Sequence, residues 1–268
     1  MERGLIFDCD GVLADTELHG HLAAFNQMWK KLGVRWQWSP EQYAEKLKIG
    51  GGKERMASLF SEQAFQQVFP VPEREEDRKD LLARWHQEKT AIYQQIIASG
   101  AIPPRSGIRR ISEAALAAGW KVAVASTSAK PSVDAVLTHA VGESNAQQFT
   151  VLAGDVVAAK KPAPDIYLLA SKSLGIPAEN CVAVEDSRNG LLSADSAGIR
   201  VLVTTSWFTT GEDFSEARLV VSALGDPGGE RAKVSQNRIG QSIGDYVQLE
   251  DVSALLEKRL PPPNPNST

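Results

Sequence analysis

Six short aliphatic runs constrain the fold of this chain more than any other feature of its sequence. The runs are 4–8, 121–126, 149–153, 181–185, 200–204 and 218–222. Most of them are continuously apolar rather than alternating, which is typical of strands that are covered on both faces in a parallel sheet. Between them lie helical patterns, three of which end at a glycine, over 107–118, 132–141, 164–174 and 188–197. This alternation predicts an α/β fold built on an open parallel sheet.

Residues 18 to about 103 break the alternation, because their patterns are helical throughout. The apolar face of the first helix, which Gly33 ends, is formed by Leu18, Leu22, Phe25, Trp29 and Leu32. A capping box with proline at the first helical position begins a second helix at Ser39. Two more helical stretches follow, at 53–68 and about 75–99. The sequence therefore predicts an all-helical domain, 17–103, inserted into a core domain made of 1–16 and 104–268.

The C-terminal segment contains a linker at 225–230 and an amphipathic pattern that predicts a last helix over about 249–259. The tail that follows, 260–268, is polar and rich in proline, so we expect it to be disordered. No function for the segment 225–268 follows from its sequence.

Composition excludes several classes of partner. The chain has 268 residues and a net charge of −4, so no basic field attracts nucleic acid or an anionic membrane. Cys9 and Cys181 both lie in apolar runs, and we expect buried free thiols rather than a disulfide. No apolar stretch approaches the ~18 residues that a membrane span needs. The first strand begins so near Met1 that we expect no secretory signal or transit peptide in this chain.

Polar side chains cluster where the predicted strands end. They are Asp8, Asp10, Ser126, Thr127, Ser128, Lys160, Lys161, Glu185 and Asp186. Because ligands of open α/β sheets bind beyond the carboxyl ends of the strands, we expect these groups to converge on one rim. Carboxylates are the hard ligands that Mg²⁺ prefers, and hydroxyls with an ammonium group suit phosphoryl oxygens. Each motif alone is weak, since Asp-x-Asp-Gly is more often a turn after a strand than a catalytic site.

In chain order, however, Asp-x-Asp-Gly, a strand-end serine, Lys-Pro and Glu-Asp resemble the four motifs of the haloacid dehalogenase (HAD) superfamily over roughly residues 4–222. The helical insertion after the first motif resembles the C1-type cap of that superfamily. The resemblance implies an α/β fold with a doubly wound, Rossmann-like parallel-sheet core and an inserted all-helical C1 cap domain.

The same resemblance implies roles for the residues at the rim. Asp8 would be the nucleophile that forms an aspartyl-phosphate, and Asp10 would be the general acid and base. Ser126 would donate a hydrogen bond to a phosphoryl oxygen, and Lys161, favoured over Lys160 by its proline, would neutralise charge beside Asp8. The implied cofactor is Mg²⁺, with ligands from Asp8, the Asp10 carbonyl and Asp186, and with Glu185 assisting directly or through water.

A run of glycines at 50–52 suggests a second anion site in the predicted helical domain. Glycines before a helix leave backbone N–H groups free to face an anion, and Lys53 follows them directly. Glu54 stands where a Walker A loop would have Ser or Thr, so the stretch is not such a loop. Our hypothesis is a phosphate site of Gly51, Gly52, Lys53 and Lys89, with Arg55, His86 and Arg105 as further cations. The alternative is a flexible turn between helices.

A narrower resemblance involves the stretches DCDGVLADTE, GHLAAFN, KIGGGKERM, HQEKT, STS, AGDVV, KKPAPDIY and VEDSRNG. Together they are similar to the CbbY-type phosphatases of photosynthetic organisms. This implies a small-molecule substrate, xylulose-1,5-bisphosphate, a Rubisco inhibitor whose hydrolysis gives xylulose-5-phosphate for the Calvin cycle. It implies that Glu17 binds sugar hydroxyls and that Thr127 and Ser128 belong to the substrate site. We expect a monomer, located in the chloroplast stroma if the source is a plant or alga and in the cytoplasm if it is a bacterium.

Three other functions fit the same residues. A β-phosphoglucomutase would share the superfamily and the cap, and would transfer the phosphoryl group rather than lose it to water. A generalist sugar-phosphate phosphatase would differ in selectivity alone. A sugar-phosphate binding protein without catalysis belongs to another class, and the intact set of Asp8, Asp10, Lys161 and Asp186 speaks against it.

Overall fold

The computed structural model describes residues 2–49 and 51–257. The chain divides into two compact units. Met1–Asp15 and Pro103–Thr268 form one, which we call the core unit, and Thr16–Ile102 form the other, the helical unit. Gly50, the predicted tail 260–268 and the end of the predicted last helix lie outside the described residues.

The strands all lie in the core unit. They are β1 Gly4–Phe7, β2 Lys121–Ser126, β3 Phe149–Ala153, β4 Cys181–Glu185, β5 Arg200–Thr204, β6 Leu219–Val221 and β7 Val234–Asn237. The helices of the helical unit are α1 Ala23–Lys31, α2 Pro40–Leu47, α3 Gly52–Ser58, α4 Gln63–Gln66 and α5 Glu75–Ala98. Those of the core unit are α6 Ile108–Ala117, α7 Lys130–Val141, α8 Glu143–Ala146, α9 Asp165–Leu174, α10 Arg188–Ser196 and α11 Leu249–Ala254.

Within the described residues the strands form one sheet in the order β3-β2-β1-β4-β5-β6-β7. Strands β1 to β6 are parallel, and β7 is antiparallel to β6. The strand order reverses at β1, which pairs with β2 on one side and β4 on the other. The doubly wound α/β fold that the sequence predicts is therefore confirmed, and its switch point, where such folds bind ligands, lies at β1.

Helices cover the sheet in two groups. α9 and α10 contact each other, and with the strands they bury a shared core that contains Ile166, Tyr167, Leu191 and Val203. α6 and α7 also contact each other, and they pack on β2 and β3 respectively. This cover explains the continuous apolarity of the strands, whose central residues are almost fully buried.

The helical unit packs around tryptophans. Trp29 on α1 meets Trp85 on α5 edge to face at 4.8 Å and lies 6.1 Å from the Trp38 ring. Ser39 begins α2 with the expected capping box, in which its side chain accepts from the Gln42 amide. The first predicted helix begins as a π-helical segment over Glu17–Leu22 and continues as α1. Such segments are often found at functional sites.

Two sequence expectations are wrong in detail, and one strand was not expected. The helix expected over 53–68 is broken into α3, a 3₁₀ turn at Leu59–Ser61 and α4. Hydroxyls compete with the helical ladder there, since Ser58 and Ser61 both donate to backbone carbonyls three residues earlier. The last helix ends at Ala254 rather than near 259, because the amides of 255–257 donate to carbonyls three residues earlier, as in a 3₁₀ turn. The edge strand β7 was not expected, because its polar, largely exposed residues carry no apolar signal.

Within the described residues, no helix combines the length and the apolarity needed to cross a bilayer.

Candidate active site

Three neighbouring strands bring the acidic motifs together at one edge of the core sheet. Asp8 follows β1 directly, Ser126 ends β2 and Glu185 ends β4. The register pairs Phe7 with Val124 and with Val184, so the strands reach this edge side by side. The sequence motifs that follow β1, β2 and β4 therefore share one site at the switch point of the sheet.

Lys161 lies between two of the carboxylates. Its Nζ is 2.7 Å from Oδ1 of Asp8 and 2.6 Å from Oε1 of Glu185, and its side chain is 11% exposed. The neighbouring Lys160 pairs instead with Asp155 at 3.0 Å, and both of those side chains are exposed. The two adjacent lysines thus differ fully in environment.

Glu185 is completely buried and strongly hydrogen-bonded. Besides Lys161, the Tyr167 hydroxyl donates to Oε1 at 2.5 Å, and the Asp186 amide donates to Oε2 at 3.2 Å. A Cβ atom at Gly190, at the start of α10, would overlap the Glu185 carboxylate. The absence of a side chain at Gly190 therefore makes room for this buried acid.

Burial and mutual repulsion make the carboxyl groups of Asp8 and Asp186 hard to ionise. Burial raises the pKa of Asp8 to about 7; Lys161 opposes this, while Glu185 and Asp10 add to it. Burial, followed by the charges of Asp8 and Glu185, also raises the pKa of Asp186 well above its usual range. Burial alone would lower the pKa of Lys161, but its two acidic partners outweigh it and the net direction is upward. Lys161 is therefore a permanent cation among acids that need more positive charge.

The donor set fits a hard divalent cation. Asp8, Glu185 and Asp186 are buried, and each offers a carboxylate oxygen that lies within 4.8 Å of the other two. Such carboxylates tolerate a shared site when a cation lies between them.

Asp10 is held by the loop that follows β2. The Ser128 hydroxyl donates to Oδ2 of Asp10, and the Ser128 amide donates to Oγ of Ser126 at 3.1 Å. Ser126 is buried, whereas Thr127 between them is exposed. Gly11, next to Asp10, has a φ of +79° and approaches Asp186 so closely that a Cβ would overlap its carboxylate.

In the helical unit, Glu17 is part of a hydrogen-bonded chain. The Tyr43 hydroxyl donates to Oε2 of Glu17 at 2.9 Å, and Arg55 donates to the same hydroxyl at 3.0 Å. Arg55 also donates to the Ile49 carbonyl through Nε at 3.0 Å. Arg55, which our sequence hypothesis places among the cations of the anion site, therefore contacts Glu17 through Tyr43.

A second pair in this unit joins Lys89 and His21. Lys89 is buried, its Nζ lies 2.6 Å from Nδ1 of His21, and it packs over the Phe25 and Tyr93 rings. Burial, then the charges of Lys89 and Arg55, lowers the pKa of His21 well below its usual range. Neutral His21 therefore accepts the hydrogen bond from Lys89.

The glycine run is only partly described, because Gly50 lies outside the described residues. Gly51 has a φ of +93°, and a Cβ there would overlap the Glu54 carboxylate. Gly52 starts α3 near the His86 ring, and Lys53 is exposed. Burial lowers the pKa of His86, and the positive charges of Lys53 and Lys89 lower it further. The amino end of α3 thus has cations nearby and one carboxylate of its own.

Comparison with known proteins places this geometry in a family. A sequence model of the haloacid dehalogenase-like hydrolases matches residues 2–198. A "CBBY-like protein" of Arabidopsis thaliana is 42% identical over 231 residues, which cover 86% of this chain and 72% of that protein. "Protein CbbY" of Rhodobacter capsulatus is 42% identical over 216 residues, 80% of this chain and 90% of the relative. The chain belongs to the haloacid dehalogenase-like hydrolases.

Within that family it is a CbbY-like protein. A crystal structure of a mutant CbbY from Rhodobacter sphaeroides in complex with xylulose-(1,5)bisphosphate matches with a TM-score of 0.70 at 38% identity. The match covers 83% of this chain and 95% of that one. This HAD protein is accordingly a hydrolase of the phosphatase type.

Three residues of this CbbY-like protein were missed or misread in the sequence. Tyr167 was quoted in a motif without a role, yet a tyrosine on the apolar face of a helix signals a buried hydroxyl that needs an acceptor. Gly190 carried no local signal, because its constraint comes from Glu185 across space. Arg105 was considered as a further cation for the anion site. The structure corrects this, because its guanidinium is committed to backbone carbonyls of the core unit.

Proposed function

We propose that this protein is a Mg²⁺-dependent phosphatase that hydrolyses xylulose-1,5-bisphosphate to xylulose-5-phosphate. The observation that carries the proposal is the buried cluster of Asp8, Lys161, Glu185 and Asp186 in a chain that resembles CbbY over most of its length. The likeness to the structure of CbbY with xylulose-(1,5)bisphosphate supports the choice of substrate.

In the first step, an Asp8 oxygen attacks phosphorus and the bond from phosphorus to the sugar oxygen breaks. Asp10 gives a proton to the leaving sugar oxygen. In the second step, a water attacks the aspartyl-phosphate, Asp10 takes a proton from that water, and the bond from phosphorus to Asp8 breaks. Inorganic phosphate leaves and both carboxyl groups return to their starting states. The hydrogen bond from Ser128 to Asp10 supports this role, since it orients the carboxyl group.

The other core residues bind and position. Lys161 offsets negative charge between Asp8 and the phosphoryl group, and Ser126 donates to a phosphoryl oxygen. Thr127 and Ser128 complete the substrate contacts of this loop. Asp8, the Asp10 carbonyl and Asp186 would hold Mg²⁺, with Glu185 assisting directly or through water, and the bound ion would supply Lewis-acid chemistry.

The helical unit recognises the rest of the substrate. Glu17 accepts hydrogen bonds from sugar hydroxyls, in the orientation that Tyr43 gives it. Gly51, Gly52, Lys53 and Lys89 bind the phosphate that is not cleaved. Because Glu54 lies against Gly51, that phosphate must displace its carboxylate, and Lys53 and Lys89 supply the attraction for the exchange.

This activity removes a Rubisco inhibitor and returns its carbon to the Calvin cycle. We further propose that the protein acts as a monomer. Its location is the chloroplast stroma if the source is a plant or alga, or the cytoplasm if it is a bacterium.

The test is phosphate release from a panel of sugar mono- and bisphosphates with Mg²⁺. We expect xylulose-1,5-bisphosphate to have the highest kcat/KM and Asp8→Asn to abolish turnover. Equal rates across the panel would support a generalist phosphatase, and a requirement for a glucose bisphosphate with isomerised product would support a mutase. Binding of the bisphosphate without Mg²⁺-dependent turnover would support a binding protein.

A second comparison isolates the distal phosphate. Lys53→Ala is expected to lower kcat/KM for xylulose-1,5-bisphosphate by about 10- to 100-fold, since charge-assisted hydrogen bonds contribute roughly 1.5–3 kcal/mol. The same variant should leave the lower kcat/KM for xylulose-1-phosphate unchanged. Lys48→Ala is the matched control, because Lys48 is an exposed lysine of the same unit that pairs with Glu45. An equal loss for both substrates would contradict the distal site.

A further inference from the structure

Arg105 lies in the core unit, two residues after that unit resumes at Pro103. Among the described residues its guanidinium donates to four backbone carbonyls. One is Gly11, in the loop of the proposed nucleophile. The others are Thr204 at 3.0 Å, Thr205 at 2.7 Å and Ser222 at 2.6 Å, which follow or end β5 and β6. One side chain therefore joins three separate segments of the chain at the edge of the sheet where the acids converge.

The backbone around Arg105 reinforces the same loop. Its amide donates to the Leu13 carbonyl at 3.0 Å, and Pro104 and Ala14 form an isolated antiparallel bridge. The loop is closed on itself by the Gly11 amide, which donates to the Ala14 carbonyl at 2.9 Å. Both the side chain and the main chain of Arg105 thus hold the loop that carries Asp10.

We propose that Arg105 is a positioning residue that fixes the Gly11 loop for cation binding. Gly11 is covalently bonded to the carbonyl of Asp10, a proposed metal ligand. It also packs so closely on Asp186, another proposed ligand, that a Cβ would not fit. A displaced Gly11 would therefore move one metal ligand and crowd or release a second. Mutation of a residue that orients metal ligands typically weakens metal binding by about 10- to 100-fold.

An arginine is needed here because of geometry rather than charge. Its planar fork presents donors in several fixed directions and so can reach carbonyls from three segments at once. A lysine at this position keeps the positive charge but has one nitrogen, which cannot reach all of these carbonyls. Arg105→Lys thus separates the two contributions.

The test measures cation binding without substrate, and it rests on the proposed metal site. Mn²⁺ is titrated into the purified full-length protein and the free ion is followed by electron paramagnetic resonance. We expect Arg105→Lys to raise the Kd for Mn²⁺ by about 10- to 100-fold. Arg110→Lys is the matched control, since Arg110 donates to the carbonyls of Val247 and Gly225 and to Asp226, none of which belongs to the acidic cluster of Asp8, Glu185 and Asp186. It should lower the melting temperature in EDTA while leaving the Kd for Mn²⁺ within about twofold.

The outcomes are distinguishable. If the wild type does not bind Mn²⁺, the proposed metal site fails. If the wild type binds and Arg105→Lys binds equally well, the inference about Arg105 is overturned although the metal site stands. Should Arg105→Lys not fold, hydrogen exchange of the wild type decides. We expect the Gly11 and Leu13 amides to be protected in EDTA and unchanged by Mg²⁺, because Arg105 already orders the loop. Free exchange in EDTA would overturn the inference.

Discussion

Replacing Asp8 by asparagine is expected to stabilise the metal-free protein above about pH 7, although it removes the proposed nucleophile. Folding moves the pKa of this carboxyl from 3.8 to about 7, with burial as the main cause. A difference of about three pH units, at about 1.4 kcal/mol for each, corresponds to about 4 kcal/mol. That free energy opposes folding when Asp8 is ionised. Asparagine is close in shape and carries no charge, and Lys161 keeps its ion pair with Glu185 at 2.6 Å.

The sign follows from proton binding. Between about pH 4 and about pH 7 the native state holds a proton on Asp8 that the unfolded state has lost, so the stability of the wild type falls as pH rises. Asp8→Asn removes this loss. Its advantage over the wild type should be near zero at about pH 4, grow by about 1.4 kcal/mol per pH unit, and level off at about 4 kcal/mol above pH 7.

The assay is urea unfolding in EDTA at several pH values, with the free energy of unfolding compared between wild type and variant. Asp134→Asn is the control, because it breaks an exposed ion pair with Lys130 that should contribute less than about 0.5 kcal/mol at any pH. Excess Mg²⁺ should narrow the advantage of Asp8→Asn, since the wild type binds the ion more tightly. A variant that is less stable than the wild type at high pH, or a difference independent of pH, would refute the reasoning.

Three further predictions concern other contacts, two in the core unit and one in the helical unit. Gly190→Ala should displace the Glu185 carboxylate and abolish Mg²⁺ binding by calorimetry, whereas Gly211→Ala, where a Cβ meets nothing within 4 Å, should leave it unchanged. Tyr167→Phe should lower the free energy of unfolding by about 1.5–3 kcal/mol in urea titrations, since Glu185 loses a buried donor; no loss would mean that this bond is not formed. The lowered pKa of His21 predicts a stability that is full above about pH 6.5 and lost as pH falls below it, because the unfolded state protonates first. His21→Asn should remove that pH dependence of stability. If the variant keeps the same pH dependence, another group is its cause.

The sheet was predictable because its strands carry their own signal. Runs such as 121–126 and 181–185 are apolar throughout since both faces are covered, and the structure has strands at the same residues. β7 gave no such signal, because Val234–Asn237 is an edge strand with mostly exposed side chains. The break in the predicted helix 53–68 was also hidden, because it depends on serine hydroxyls that form local hydrogen bonds.

The part of the candidate site that lies at the ends of the strands was predictable from the sequence. Asp8 follows β1, and Glu185 and Asp186 lie at the end of the neighbouring parallel strand β4, so these acids converge because the two strands are paired. Tyr167 and Arg105 lie away from the strand ends. Tyr167 is on α9, and Arg105 lies just after the core unit resumes at Pro103. Their partners are a carboxylate and a set of backbone carbonyls that only the folded chain brings near them. Reasoning by strand ends finds groups that would touch a ligand, and it misses the groups that hold them.

The two acids beside Lys161, Glu185 and Asp8, differ in their hydrogen bonding. Glu185 is fully buried and receives donors from Lys161, Tyr167 and the Asp186 amide, so its charge is held in one place. Asp8 shares the same lysine, and its pKa stays near 7 because burial and the adjacent acids outweigh that cation. In the proposed mechanism, a nucleophile with as many donors as Glu185 would be a poorer attacking group, since most of its lone pairs would be committed to them. The two acids share Lys161, but only Glu185 also accepts from Tyr167 and the Asp186 amide. In the proposed mechanism these extra donors would fix Glu185, while Asp8 would stay destabilised until a cation and a phosphoryl group bind.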